Sequence, residues 1–274
     1  MCAQSQPVRG LLSSILPKGR GLVFMLKFYA DESVDSKSSL MIMSGYLMTE
    51  DQFVALDEAV QAAREDLPYF HMKEGHSTEH PAIYQRLVGL TNPNSVICGI
   101  SCSLYIEEHE FLMRHKAHGQ KLSYWMGKPY TYLLGQVMAL CSERVSQTKY
   151  RDELIAYVFE NGHANQGDAN AFWGQLSHPK LVASKKHYRY ASHTFVDGKG
   201  PLGSVLQLCD ILAWNFTKFH RQRKPTPELD RLLETPLAWS HHGPAEIRNE
   251  ILRGVENWKK ITQIRSERTK RLHG

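Results

Sequence analysis

Apolar and polar positions alternate along this chain in two distinct periods. A buried strand is predicted over residues 22–30 and a second over 40–48, with Gly45 as a candidate bulge. The polar stretch 33–39 between them reads as a turn, so the pair forms an N-terminal hairpin. Thr49 and Asp51 can cap a helix to about residue 64, with Phe53, Leu56, Val60 and Ala63 on one face. A second helix is predicted over 81–91 and a third strand over 95–105. The clearest helix covers 129–147: Tyr130, Leu133, Leu134, Val137, Met138, Cys141 and Val145 make one stripe, and Pro129 suits the first turn. A strand over 154–160, a helix over 168–176, a strand over 188–196 and a helix over 202–219 follow. A hairpin, then strands alternating with helices, predicts a mixed α/β sheet flanked by helices.

Two polar insertions break this pattern. Carboxylates follow an apolar strand in Phe28-Tyr29-Ala30-Asp31-Glu32-Ser33. A lone acid interrupts a helical apolar run in Leu206-Gln207-Leu208-Cys209-Asp210-Ile211-Leu212-Ala213-Trp214. A buried ion costs several kcal/mol unless compensated, and acids that converge can share a divalent cation. Glu160 ends another apolar strand and is a third candidate. Strand alternation sends Asp31 and Glu32 to opposite faces, which favours Asp31 as the ligand and leaves Glu32 as a helper or a turn cap. Gln207, Asp210 and Trp214 share one edge of their helix, so Asp210 reads as a boundary residue that can accept from a backbone N–H.

Further candidates lie near these acids in sequence. Asp197 and Lys199 precede the Asp210 helix, either as an ordinary Asp-Gly turn or as a charged pair at the mouth of the same site, where Lys199 would meet a phosphate or a leaving oxygen. His71 and Glu74 are accessory ligand or acid/base candidates, or a plain surface loop. No HExxH, GxSxG, Walker loop, GxGxxG or CxxC pair occurs, which removes support for zincin, serine hydrolase, P-loop and dinucleotide chemistry.

Composition adds three points. With 42% hydrophobic residues among 274, the chain can build a substantial core as one domain over 25–258. Residues 1–24 read as a flexible leader or an upstream start before a true start at Met25, and 259–274 as a basic tail. No apolar run approaches the roughly 18 residues that span a bilayer, so no membrane partner and a cytoplasmic location are expected. Five cysteines without ligand spacing read as reduced thiols; Cys98 and Cys102 would stand about 13 Å apart on a strand. The net charge of +5 permits nucleic acid as a partner. Basic runs carry Lys185, Lys186 and Arg189, then Lys218, Arg221 and Arg223, and then the C-terminal tail; together they suggest a phosphate-tracking surface. Residues 107–128 read as either a lid or a surface for a protein partner.

The strand-end Asp31-Glu32-Ser33, Phe70-His71, Glu160, Asp197-x-Lys199 and the 206–213 helix motif together resemble the DUF3800 group of uncharacterised bacterial and phage proteins. Its usual wording is a Tyr-x-Asp-Glu-Ser strand end early and a Leu-Gln-x-Ala-Asp-Leu-Leu-Ala helix late. That resemblance, over residues 27–219, implies a ribonuclease H-like fold with a mixed, about five-stranded sheet. It also implies acids that hold Mg²⁺ or Mn²⁺ for phosphodiester hydrolysis. By it Asp31, Glu160 and Asp210 match the family's acids, with Glu where Asp is more usual at 160 and Cys where Ala is usual at 209. Glu74 is the candidate for a fourth ligand. The expected function is a metal-dependent nuclease. Its rivals are a non-catalytic nucleic-acid-binding or regulatory subunit, in phage defence or a mobile element, and a hydrolase of small phosphates.

Overall fold

The computed structural model describes residues 25–114, 128–176, 182–200, 202–247 and 249. The leader and the basic tail of the sequence reading lie outside them. A six-stranded mixed sheet forms the middle layer, in the order β5-β4-β1-β2-β3-β6. Its strands are β1 (Met25–Asp35), β2 (Leu40–Met48), β3 (Cys98–Tyr105), β4 (Leu154–Glu160), β5 (Tyr190–Val196) and β6 (Leu237–His242). The first three pair antiparallel; β4 joins β1, β5 joins β4 and β6 joins β3, all parallel.

Helices cover both faces. One face carries α1 (Glu50–Arg64), α2 (His76–Glu79), α3 (Pro81–Val88), α8 (Ser204–Gln222) and α9 (Pro227–Leu232). The other carries α4 (Ile106–Arg114), α5 (Pro129–Ser146) and α6 (Gln166–Leu176), while the short α7 (Val182–His187) packs near β5. Alternation along β1 explains the split. Leu26, Phe28 and Ala30 enter the core under α5 and α6, and Tyr29 enters the core under α8. The central strand β2 is buried along its whole length, as its largely apolar sequence requires, and its one serine, Ser44, bonds Ser101. Thr49 and Gln52 form a reciprocal capping box that starts α1.

Four features differ from the sequence reading. The sheet has a sixth strand: Leu237-Ala-Trp-Ser-His-His carries too little alternation to announce itself, and parallel pairing with β3 decides it. Four short helices, α2, α4, α7 and α9, were likewise not predicted, since a helix of one or two turns shows little periodicity. Gly45 makes no bulge; it pairs in regular register with Ala30, and a Cβ there would collide with the Tyr29 carbonyl. Finally, β1 does not stop at Ala30. It continues to Asp35 because β2 continues to pair with it, whereas the ladder to β4 ends at Ala30 and Phe159. Asp31 therefore sits inside a strand, at the point where one of its two neighbours stops.

Candidate functional site

That ladder step brings two acids together. Asp31 and Glu160 are the next residues beyond the last β1–β4 pair, and both point to the α8 side of the sheet. The helix supplies the third. Cys209 Sγ donates to Tyr29 O at 3.3 Å, which fixes α8 against β1 and sets Asp210 beside Asp31. Asp31, Glu160 and Asp210 line one cavity of about 20 Å³.

Two loops wall it. The α1–α2 loop contributes Tyr69, Phe70 and His71, and the β5–α8 loop contributes Gly198 and Lys199. Asp210 Oδ2 accepts from Met72 N at 2.7 Å, and Gln207 Oε1 accepts from Phe70 N at 2.9 Å, so α8 holds the first loop through two backbone N–H groups. The Gln207 Nε2 group is left buried without a partner. Gly198 lets Glu160 lie close: a Cβ there would press on the Glu160 carboxylate and displace it.

The electrostatics are strained. Asp31 and Asp210 are each only 7% exposed. Burial, and then the charges of Asp210, Glu32 and Glu160, push the Asp31 carboxyl well above its ordinary range. Burial also raises Asp210, against the pull of His71 and the Met72 N–H. Glu160 is raised by burial in turn, with His71 opposing. The compensation within reach is modest. Asp31 Oδ1 accepts from Glu32 N at 2.8 Å. His71 Nδ1 lies 3.8 Å from Asp210 Oδ2 but accepts from Lys73 N at 3.1 Å, so its second nitrogen carries the proton of the neutral ring.

The other sequence candidates lie elsewhere. Glu32 points to the opposite face and pairs with His163 Nδ1 at 3.0 Å, as alternation requires, so it is not positioned as a ligand with Asp31. Glu74 stands outside the cavity beside Tyr69, His76 and Lys199. Asp197 is exposed and accepts from Lys199 N at 2.9 Å, the ordinary Asp-Gly turn. The run with Lys185, Lys186 and Arg189 departs most from expectation. Arg189 O pairs with Ile155 N at the start of β4, roughly 17 Å along the strand from Glu160. Arg189 donates to Ser142 O and Arg151 O, so its guanidinium anchors loops. Lys218, Arg221 and Arg223 lie on and just past the last turns of α8, about 12–20 Å from Asp210. Arg221 reaches Asp35 at 3.6 Å, and the Lys218 ammonium lies 5.9 Å from the Trp214 ring.

Sequence reasoning missed Tyr69, the Met72 N–H and Gly198. Tyr69 could have been flagged as an aromatic next to Phe70-His71. A backbone donor leaves no trace in residue type. Among the described residues, no three His, Cys, Asp or Glu side chains form a ready metal-ligand group. The thiols of Cys98, Cys102, Cys141 and Cys209 are free and buried, as expected. No helix among the described residues is long and apolar enough to cross a membrane. No protein-family model and no curated protein matches this chain.

Proposed function

We propose that this chain is a metal-dependent phosphodiesterase acting on nucleic acid, on a ribonuclease H-like architecture related to the DUF3800 group. The observation that carries the reading is the meeting of Asp31, Glu160 and Asp210, from two strands and a helix, in one small cavity. The hairpin-first mixed sheet, with an acid on its first strand, another ending its fourth and a third on a late helix, is what that architecture asks for. β6 is then an addition at one edge.

The donor set fits Mg²⁺ or Mn²⁺ in kind: hard carboxylate oxygens in negative surplus, with Asp31 held above its ordinary range by burial and by the charges of Asp210, Glu32 and Glu160. Asp31, Glu160 and Asp210 would hold the ion. Bound there, it would supply an activated water and charge stabilisation at the leaving oxygen. The chain's own groups do the rest. Met72 N–H orients the Asp210 carboxylate. The unpartnered Gln207 amide can donate to a non-bridging phosphate oxygen. His71 lines the cavity, and its ring nitrogen not occupied by Lys73 N–H is the one that could pass a proton to a leaving oxygen. Lys218, Arg221 and Arg223 continue from the site along α8 and can follow a phosphate backbone.

The test is Mn²⁺ or Mg²⁺ titration by calorimetry on wild type and Asp210→Asn, with DNA and RNA cleavage measured on the same samples. Ion binding and cleavage both lost in the variant are expected. A well-folded Asp210→Asn protein that cleaves undiminished sinks the reading. The position of Glu74 outside the cavity favours a second reading, a non-catalytic nucleic-acid-binding or regulatory subunit. It expects salt-sensitive binding without metal-dependent turnover. Hydrolysis of small phosphate esters with little salt dependence would instead favour the small-phosphate hydrolase.

A further inference from the structure

The two loops that wall the acid cavity are tied to each other across its mouth. Lys199 Nζ lies 3.7 Å from Glu74 Oε1 and 4.0 Å from the centre of the Tyr69 ring. The Tyr69 hydroxyl donates to the other oxygen of Glu74. Each of the three side chains thus touches the other two. Lys199 and Tyr69 both line the cavity, while Glu74 stands outside it.

Size and strength give this triangle its meaning. A cavity of about 20 Å³ holds about one water, so a phosphate group approaching the acids does so through the mouth that Lys199 and Tyr69 line. The tie is an ion pair between side chains 57% and 43% exposed, the kind that contributes little and is easily exchanged. Without Glu74, Lys199 would face the acids or a ligand. With it, the Lys199 ammonium is already paired with an anion.

We propose that Glu74 is an internal stand-in for the substrate anion: it holds Lys199 and Tyr69 together across the mouth, and a phosphate group opens the site by replacing Glu74 on Lys199. The nature of the anion rests on the phosphodiester reading; the latch rests on the contacts alone. Glu74, a candidate ligand in the sequence, becomes a brake on the site.

The experiment measures binding of inorganic pyrophosphate by calorimetry, and backbone hydrogen exchange of residues 69–75 without it, on the full chain. Glu74→Gln should bind pyrophosphate about fivefold tighter, the upper range for an exposed pair, and residues 69–75 should exchange faster. Tyr69→Phe should move both in the same direction by less. Glu79→Gln, with the same charge change on a nearby exposed acid, should move neither. In the Lys199→Gln background, Glu74→Gln should make no further difference. Equal or weaker binding by Glu74→Gln, with β1 exchange unchanged to show an intact fold, overturns the latch. So does an equal gain in Glu79→Gln. No arm reads cleavage. A chain without nuclease activity that shows the gain keeps the latch and loses the phosphodiester reading; one that cleaves but shows no gain does the reverse.

Discussion

Helix α8 carries two buried polar clusters ten residues apart, and they are built on opposite terms. Near its start, Asp210 joins Asp31 and Glu160, three groups of one sign that raise each other's proton affinity. Near its end, His220 joins a cluster of groups that can all stay neutral. Ser103 Oγ lies 3.0 Å from both His220 Nε2 and His241 Nδ1; the next strand residue, His242, turns to the opposite face of the sheet, between Tyr132 and Ser240. Burial lowers His220 and His242 to about 4, so the rings are uncharged at neutral pH. The Ser103 hydroxyl gives each of the two imidazoles one hydrogen bond, and no charge has to be compensated. Three carboxylates do leave charge to be compensated. The same helix thus carries one polar cluster that can stay neutral and one that gathers like charges.

Removing an acid tests that contrast most strongly. Asp210→Asn should reduce cleavage about a thousandfold, since loss of several kcal/mol of charge stabilisation is about three powers of ten. The same variant should melt at or above the wild-type temperature, because it relieves repulsion at Asp31. A melting temperature well below wild type would mean that Asp210 is structural. Ion binding comes next. Excess Mn²⁺ at a hundred times its dissociation constant should stabilise wild type by about 2.7 kcal/mol, and Asp31→Asn should abolish that shift in thermal melting.

The histidine end should behave in the opposite way. Ser103→Ala leaves His220 without a hydrogen bond, since its Nδ1 already lacks one, and should cost about 1–3 kcal/mol of stability while cleavage per folded molecule is unchanged. A loss of cleavage in that variant would join the two clusters functionally. The smallest and most telling effect is on pH dependence. Unfolded histidines take up protons near 6.5 but His220 and His242 resist until about 4, so both sites lose stability as pH falls between those values. Asp31 and Asp210 have raised folded values. Their contribution is intact below the unfolded carboxylate range near pH 4 and is lost as pH rises through the raised values. Melting curves against pH should therefore show two opposing slopes. His220→Gln should flatten the acid-side loss, and Asp210→Asn the loss on raising pH.

Most of the architecture was legible because its elements are long and periodic. β2, β4, α1 and α5 fall within a residue or so of their expected bounds. Asp31, Glu160 and Asp210 were legible for another reason: each is an acid where the apolar pattern asks for something else. What stayed hidden was short or contextual. β6 and the one- and two-turn helices have too few residues to show a period. Lys185, Lys186 and Arg189 look like any basic run, and only the direction of β4 and β5 puts them at the far end of the sheet from Glu160. Glu74 and Lys199 lie 125 positions apart, and no spacing could pair them.

The sequence by itself determined the mixed α/β class, the central burial of β2, the split of Asp31 and Glu32 to opposite faces, and the set of acids worth suspecting. These follow from local periodicity and from the free energy of burying charge, which residue order alone expresses. Only the tertiary structure decided that β1 outruns β4 at Asp31, that Met72 and Phe70 present their N–H groups to α8, and that Glu74 closes on Lys199. Those facts depend on which strand ends beside which and on how far a loop reaches. Such distances arise between elements and have no counterpart along the chain.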